Sequence, residues 1–441
     1  MDKTVVIPLI FEWQNVVMRR QGVTRELEEP LYRSIGSRPI KIVTGFRRSG
    51  KSFLVQQVAR RYVDEGNILP ENLLYLNLED FRLMTVTTPQ RLNDIFELFL
   101  STSAKPGKKL LIFDEIQNVA NWDRFIRTLY EKESDEIEIL LTGSNSELLS
   151  SELGSNLAGR FIEFRLFPFS LREFLIFKGM PITTTAEYHR NRRELQALFN
   201  EFLKFGGLPE IFTIIDGDAK LSYLSGILSK VILDDVVRRF RVDNVTLLEK
   251  ILTYLLASAG SITTFASLTR QAKALGFRTK SETVIAYCGY FVKALALFEL
   301  NRFSWKQSRV FSDTRKYFSI DTGLMTLFRS AEENQATRLE HVVCLELLRR
   351  HGTVHFGTND NGRELDFLVP QGGRLHDKYQ VTRSLTADDE KRELGAFALA
   401  DPYLRGGKNM LLSLDEDEGI KMHQGVAIEC GNLLRWLLGL R

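Results

Sequence analysis

The chain has 441 residues, of which 44% are hydrophobic and 26% charged, and its formal net charge is +3. No apolar run reaches the roughly 18 to 20 residues of a membrane span, so the composition excludes a membrane-spanning protein and predicts several globular domains. The amino terminus lacks a strong basic lead and a small-residue cleavage site, so we expect a cytoplasmic protein. The three cysteines are far apart, which argues against a disulfide frame or a zinc site.

A glycine-rich loop follows an apolar segment in KIVTGFRRSGKSFLV, residues 41–55. The spacing fits G-x-x-x-x-G-K-S, with a predicted strand before it and a predicted helix after it. Glycines let successive backbone N–H groups face an anion, and the helix adds the positive end of its dipole. The pattern therefore predicts a phosphate-binding loop made of Gly45, Phe46, Arg47, Arg48, Ser49, Gly50, Lys51, Ser52 and Phe53.

Two of these residues carry specific chemistry. We expect Lys51 to neutralise the β- and γ-phosphates of a nucleotide and Ser52 to supply a hydroxyl to Mg²⁺. A second buried strand, in KKLLIFDEIQNV, ends on the carboxylate pair Asp114 and Glu115. Asp114 is predicted to hold the magnesium through water, and Glu115 to polarise the attacking water. Lys51, Asp114 and Glu115 together predict hydrolysis of a bound nucleotide rather than transfer of its phosphate to a second substrate.

A third strand, in IEILLTGSNSELL, ends near Ser144 and Asn145. A polar side chain at that tip could sense the γ-phosphate or cap the next helix, and the sequence favours neither. Arg160 follows a small-residue turn and could act as an arginine finger, in its own chain or toward a neighbouring subunit. A solvated arginine is the alternative interpretation of Arg160.

Strands alternate with helices from about residue 39 to residue 164, which predicts an α/β fold with a parallel sheet covered by helices on both faces. Such a sheet binds ligands beyond the carboxyl ends of its strands. Gly45, Asp114 and Ser144 are all predicted to lie there.

Six segments in chain order carry a family resemblance: TGFRRSGKS, LNLEDFR, DEIQNVANWDRFIRTLY, LTGSNSELL, LAGRFIEFRLFPFSLREFL and KFGGLPEIF. Together they resemble the bacterial and archaeal AAA-type ATPases that carry a C-terminal domain of uncharacterised function with a restriction-endonuclease-like fold. The resemblance implies ATP as the nucleotide and a helical lid. The expected domains are the N-terminal strap and ATPase core, 1–175, the lid, 176–244, a winged helix, 245–318, and the restriction-endonuclease-like domain, 319–441.

The pattern of residues 245–311 predicts three helices followed by two short strands, FELNRF and RVFSD. This order of elements indicates a winged helix-turn-helix. Helical spacing suggests one face for Lys280, Thr283 and Tyr287, and nearby cations suit contacts to phosphates. The candidate DNA-binding residues are Arg270, Lys273, Arg278, Lys280, Thr283 and Tyr287. The alternative is a winged helix that packs against protein, with a solvated basic face.

A nuclease of the restriction-endonuclease type needs a helix carboxylate, a strand aspartate, and an acid or glutamine followed two residues later by lysine. Glu340, Asp366 and Gln380 fit the first three positions, but residue 382 is Thr. Lys378 and Arg383 are the nearest cations; strand alternation places Arg383 on the other face, and we expect Lys378 at the margin of the site. We therefore expect an inactive nuclease fold that is retained for binding or assembly.

The sequence as a whole predicts a magnesium-dependent ATPase associated with DNA. Two alternatives remain open: a nucleotide switch or scaffold that recruits a protein partner with little turnover, and an ATP-gated metal-dependent nuclease. Besides ATP and Mg²⁺, this interpretation allows DNA, an unidentified protein and further copies of the chain as partners.

Overall fold

The computed structural model of the protein describes residues 3–132, 136–144, 157, 159–303, 314–330, 334–358, 364–372, 376–400, 404, 406–415 and 418–440. Contacts between the Cα atoms divide the chain into two units, residues 1–167 and residues 168–441. Each unit has its own sheets and helices.

A five-stranded parallel sheet forms the centre of the first unit. Its strands are β1 Ile40–Gly45, β2 Leu73–Asn77, β3 Lys109–Asp114, β4 Ile137–Gly143 and β5 Phe161–Leu166. The spatial order is β2-β3-β4-β1-β5, and every pair is parallel. Parallel sheets are covered on both faces, and β1 and β3 are accordingly buried along their whole length. This burial explains why the sequences of the two strands are nearly continuous apolar runs.

Helices cover the two faces of this sheet. They are α1 Lys3–Met18, α2 Glu28–Ser34, α3 Lys51–Asp64, α4 Pro89–Thr102 and α5 Trp122–Lys132. Alternate residues of β1 enter different cores: Ile40 and Ile42 pack into one, and Val43 packs into the other. The predicted parallel sheet with helices on both faces is therefore confirmed for this unit.

Helices dominate the start of the second unit. They are α6 Leu171–Phe177, α7 Thr185–Arg190, α8 Arg192–Phe205 and α9 Gly217–Lys230, which continues into a π-helical segment, Val231–Arg238. Both α6 and α7 begin with a capping box, in which Ser170 and Thr184 exchange hydrogen bonds with a glutamate three residues later.

Three helices and a small antiparallel sheet follow. The helices are α10 Val245–Ala257, α11 Phe265–Ala274 and α12 Ser281–Lys293, and the strands are β6 Ile262–Thr264, β7 Leu297–Asn301 and β8 Thr314–Ser319. The spatial order is β6-β8-β7. The segment RVFSD, in which the second wing strand is predicted, lies outside the described residues, and the strand after β7 begins at Thr314.

A six-stranded sheet completes the second unit. Its strands are β9 His355–Thr358, β10 Glu364–Pro370, β11 His376–Val381, β12 Asn409–Ser413, β13 Gly419–His423 and β14 Val426–Asn432, in the order β13-β14-β12-β11-β10-β9. The helices of this region are α13 Thr322–Thr326, α14 Gln335–His351, α15 Ala387–Ala400 and α16 Leu433–Leu438. Over the described part of the chain, no helix is long and apolar enough to cross a bilayer.

Candidate nucleotide site and candidate DNA and tail sites

The loop between β1 and α3 has the backbone form of an anion cradle. Arg48 has a φ of 66° and Gly50 a φ of 98°, and the residue before each lies outside the left-handed region. Such alternation turns successive N–H groups toward one side of the chain, and the first N–H groups of α3 add to them because they lack partners within the helix. Phe46 is fully buried, so it contributes its backbone to the loop.

Close packing explains why the loop opens with glycine. A Cβ atom on Gly45 would lie 2.5 Å from the carbonyl oxygen of Leu166, the residue opposite it on β5. Ser49 is fully buried, and its hydroxyl has no hydrogen-bond partner among the described residues. That orphaned hydroxyl fits a loop whose polar groups receive a ligand.

Lys51 lies inside this loop. Its side chain is 4% exposed, and its Nζ is 3.3 Å from Oε1 of Glu115. The same Nζ donates to the carbonyl oxygens of Gly45 and Phe46, at 3.2 and 3.4 Å. The Lys51 ammonium is therefore held between the loop carbonyls and the Glu115 carboxylate, which is predicted to activate water.

Asp114 ends β3 and is almost fully buried. It accepts hydrogen bonds from the hydroxyl groups of Tyr75, Thr142 and Ser52. Burial raises the pKa of Asp114, and the neighbouring Glu115 charge raises it further, although the three hydroxyl donors lower it. The bond from Ser52 places both predicted magnesium ligands together, and hard oxygen donors of this kind suit Mg²⁺.

Glu115 adopts a left-handed conformation, with φ 55° and ψ 51°. Its backbone N–H donates to the Thr142 hydroxyl oxygen at 2.9 Å, which fixes this uncommon conformation. Burial pushes the pKa of Glu115 upward, but Lys51, a hydrogen bond from Gln117 and Arg47 overcome that effect and hold the pKa below its usual value. The carboxylate is therefore ionised at neutral pH.

Gln117 connects Glu115 with the end of β4. Its amide nitrogen donates to Oε2 of Glu115 and lies 3.5 Å from the Ser144 hydroxyl oxygen. Ser144 thus lies at the edge of the sheet where the loop and the carboxylate pair also lie. Asn145 is outside the described residues.

Arg160 lies at the other edge of the sheet. It immediately precedes β5, and its carbonyl accepts from the N–H of Ile40, the first residue of β1. β1 rises about 3.3 Å per residue, so the phosphate loop is on the order of 17 Å away. Its guanidinium is 3.3 Å from Glu131. Arg160 therefore does not line the nucleotide site of its own chain, and action on a neighbouring subunit stays a prediction.

The predicted DNA-binding residues separate into two groups. Arg270, Lys273, Arg278 and Lys280 are exposed. A concave surface is lined by Lys273, Phe277, Arg278, Thr279, Lys280 and Thr283. Tyr287 is buried, at 6% exposure. Tyr287 is therefore not exposed for contact with DNA, which corrects its place among the candidates that share a face with Lys280 and Thr283.

Two of the predicted nuclease residues of the tail, Asp366 and Gln380, are joined by hydrogen bonds to each other and to neighbouring residues. Asp366 accepts from the backbone N–H of Val381 at 2.9 Å, and its own N–H donates to the side-chain oxygen of Gln380 at 3.1 Å. The amide nitrogen of Gln380 donates to Glu393 at 2.7 Å. The oxygen and the nitrogen of the Gln380 amide thus each make a hydrogen bond within the tail.

Lys316 brings an ammonium to this cluster from β8. Its side chain is 2% exposed and pairs with Glu364, and the charges of Asp366 and Glu340 also act on it. Burial would lower the pKa of Lys316, but these three carboxylates raise it above its usual value. For the two acids, burial acts in the opposite direction: it raises the pKa of Asp366, and it raises the pKa of Glu340 to about 7.

The two cations suggested by the sequence differ in burial: Lys378 is buried and Arg383 is exposed. Lys378 donates to the carbonyl oxygen of Gly406 at 2.9 Å. The sequence did not predict that Lys316 lies near Asp366, because the two residues are 50 positions apart and belong to different sheets. Within the ranges that the structure describes, no group of three or more His, Cys, Asp and Glu side chains is arranged to hold a metal ion.

Two family models match parts of the chain, and one of them covers most of the first unit. The family described as AAA domain matches residues 37–175, and a domain of unknown function, DUF8612, matches residues 196–335. The Walker-type ATPase PABY2304 of Pyrococcus abyssi aligns structurally with a TM-score of 0.47 and 16% identity, over 71% of this chain and 99% of that one. Residues 37–175, which contain the loop between β1 and α3, are therefore similar to AAA domains.

Two relatives extend over most of the chain. Uncharacterized protein MJ1544 of Methanocaldococcus jannaschii is 32% identical over 95% of this chain and 91% of its own length. An uncharacterized protein of Haemophilus influenzae is 31% identical over 76% of this chain and 80% of its own length. The protein therefore belongs to the same family as these two proteins.

Proposed function

We propose that the protein is a magnesium-dependent ATPase. The observation that carries this proposal is the meeting of Lys51, Asp114 and Glu115 beyond the carboxyl edge of one parallel sheet, with the Lys51 ammonium 3.3 Å from the Glu115 carboxylate. The match of the AAA domain to residues 37–175 supports it independently.

The loop residues bind the triphosphate in this proposal. Backbone N–H groups at the start of α3 and the Lys51 ammonium neutralise the β- and γ-phosphates. Ser52 and Asp114 are the residues that would hold Mg²⁺, which, when bound, supplies positive charge against the charge that develops on the phosphates.

Glu115 acts as the general base. Its ionised carboxylate accepts a proton from water as the water oxygen bonds to the γ-phosphorus and the bond to the ADP oxygen breaks. Gln117 orients the carboxylate through its hydrogen bond to Oε2. The lowered pKa of Glu115 keeps the base available at neutral pH.

We further propose that residues 245–318 form a winged helix that contacts DNA through its basic concave surface, and that residues 319–441 are an inactive restriction-endonuclease-like domain. The exposed cations around Arg278 and Lys280 support the first statement. Thr382, which stands where the nuclease pattern requires lysine, supports the second. Residues 176–244 are the helical lid in this scheme.

Steady-state ATP hydrolysis with Mg²⁺, with and without duplex DNA, tests the proposal in wild type and Glu115→Gln. We expect Glu115→Gln to lose about 100-fold or more of the turnover, since general bases contribute that much. Glu97→Gln, an exposed change in the same unit, is the matched control. Gel analysis of the same reactions should show intact DNA.

The same experiment separates the alternatives. Tight ATP binding with negligible turnover in wild type would instead favour a nucleotide switch that recruits a protein partner. Cut DNA that requires Asp366 would favour the nuclease.

A further inference from the structure

Arg25 is a buried cation beside the phosphate loop. It lies between α1 and α2 and is 6% exposed. Its guanidinium donates to two backbone carbonyl oxygens: that of Ser49, at 2.9 Å, and that of Phe167, at 2.7 Å. A guanidinium presents its donors in a fixed planar fork, so it can join two carbonyls rigidly.

The bond to Ser49 determines how one peptide group of the loop is oriented. The structure has no cis peptide bond among its described residues, so the Ser49 carbonyl and the Gly50 N–H point in opposite directions. Because Arg25 holds the carbonyl, the N–H of Gly50 points to the other side of the loop. Gly50 has a φ of 98°. Because glycine adopts positive and negative φ about equally readily, its own sterics do not hold it in this conformation, and a hydrogen bond from outside the loop can.

The bond to Phe167 anchors the far end of the loop to β5. The near end is already there, because Gly45 pairs with Leu166 in the sheet. Strand pairing thus connects Gly45 to Leu166, and Arg25 connects Ser49 to Phe167. Both ends of the loop are therefore held to adjacent residues at the end of β5. This arrangement limits movement of the peptide groups between them.

The residues before Arg25 lie along the start of α3. The Arg20 guanidinium lies 4.3 Å from the centre of the Phe53 ring and donates to the side-chain oxygen of Gln56. A Cβ atom on Gly22 would lie 2.6 Å from that ring, so the backbone approaches it closely. Residues 20–25 therefore form a strap along the loop and the first turns of α3, with Arg25 as its buried end.

We propose that Arg25 is a positioning residue of the phosphate loop, which holds the Ser49 carbonyl so that the Gly50 N–H is set in advance toward the phosphates of a nucleoside di- or triphosphate. This inference rests on the proposed ATPase function. Arg25 acts through the loop backbone, so its loss weakens nucleotide binding while the groups that activate water stay in place.

The test compares wild type, Arg25→Ala and Arg25→Lys, with Arg33→Ala as the matched control. Arg33 is an exposed arginine eight positions away that pairs with Glu29 on α2. Equilibrium titration gives Kd for Mg-ATP and Mg-ADP, steady-state hydrolysis gives kcat and KM, and thermal unfolding checks the fold.

We expect Arg25→Ala to raise Kd for both nucleotides about tenfold, because hydrogen bonds to a charged group commonly contribute that much. KM should rise with Kd while kcat changes less than threefold, and Arg33→Ala should match wild type. Arg25→Lys keeps the charge but lacks the planar fork that fixes the directions of both hydrogen bonds, so it should recover only part of the affinity. Millimolar guanidinium should restore binding to Arg25→Ala.

Either of two results would overturn the inference: a folded Arg25→Ala protein with wild-type Kd, or a loss confined to kcat. If Arg25→Ala does not fold, Arg25→Lys decides the matter, and wild-type Kd in that variant would refute the need for a bridging guanidinium. Failure of the wild type itself to bind Mg-ATP is a distinct result, which would overturn the proposed ATPase function.

Discussion

The ammonium of Lys51 lies 3.3 Å from the carboxylate of Glu115, and both side chains are largely buried. The two groups come from different strand ends, at β1 and at β3, and the parallel sheet brings them to the same edge. Burial strengthens this ion pair relative to one in water. Nucleotide phosphates that enter the loop must therefore share the Lys51 ammonium with Glu115.

Glu115→Gln should bind ATP more tightly than wild type. The substitution removes a negative charge near the γ-phosphate and releases the Lys51 ammonium, and one charge at about 4 Å contributes roughly 1 kcal/mol even in water. We expect Kd for ATP to fall about fivefold, as measured by titration without turnover. Glu97→Gln serves as the control, and weaker binding by Glu115→Gln would contradict the sharing of the ammonium.

Lys51→Ala should weaken nucleotide binding strongly. Its ammonium supplies the charge-assisted hydrogen bonds to the β- and γ-phosphates, so we expect affinity to fall about 100-fold. Lys132→Ala removes an exposed lysine at the end of α5 and should bind ATP like wild type. Retained affinity in Lys51→Ala would refute the assignment of the phosphate loop.

The pair Arg278→Glu and Lys280→Glu should weaken binding to duplex DNA at every sequence. Contacts to phosphates are insensitive to sequence, and each one contributes about 0.9 to the slope of log K against log salt. We expect that slope to decrease by about two units in a fluorescence anisotropy titration. The charge-matched pair Lys250→Glu and Lys391→Glu, exposed elsewhere in the second unit, should leave it unchanged.

Lys316→Met should destabilise the second unit strongly. It leaves Glu364 and the neighbouring Asp366 and Glu340 without their buried cation, and removing one partner of a buried pair costs about 3 to 5 kcal/mol. Lys421→Met breaks the exposed pair with Glu390 and should cost less than about 1 kcal/mol. Urea unfolding measures both, and equal shifts would show that Lys316 does not neutralise the cluster.

Acid should unfold the second unit partly through His341. This side chain is fully buried, and its Nε2 accepts from the Ser319 N–H at 2.8 Å. Burial, assisted by the charges of Arg338 and Lys316, lowers the pKa of His341 from 6.5 to about 3. The unfolded chain therefore binds a proton that the folded chain does not, and stability is lost as pH falls from 6.5 toward 3.

The contribution from His341 should approach about 1.4 kcal/mol for each pH unit. His341→Gln should show a shallower dependence of unfolding free energy on pH, measured by urea titration between pH 7.5 and pH 4.5. The exposed His189→Gln change should keep the wild-type dependence. An unchanged slope in His341→Gln would exclude His341 as the titrating group.

The contiguous sequence by itself determined the phosphate loop. Gly45, Gly50 and Lys51 act within a few residues of one another, and the backbone rules that shape such a loop are local. Asp114 could be placed for a related reason, since an apolar run that ends on a carboxylate delivers it to the carboxyl edge of a parallel sheet. Both predictions needed only neighbouring residues and the direction of a strand.

Only the tertiary structure decided the placement of Arg25, Lys316, Arg160 and Tyr287. Arg25 reaches a carbonyl 142 residues away, and Lys316 joins carboxylates from another sheet. Arg160 lies at the amino end of β5, whereas the loop lies at the carboxyl end of β1, a separation that follows from strand direction once β5 is known to pair with β1. Tyr287 is buried because packing within its module, rather than helical spacing alone, selects which face of α12 is covered.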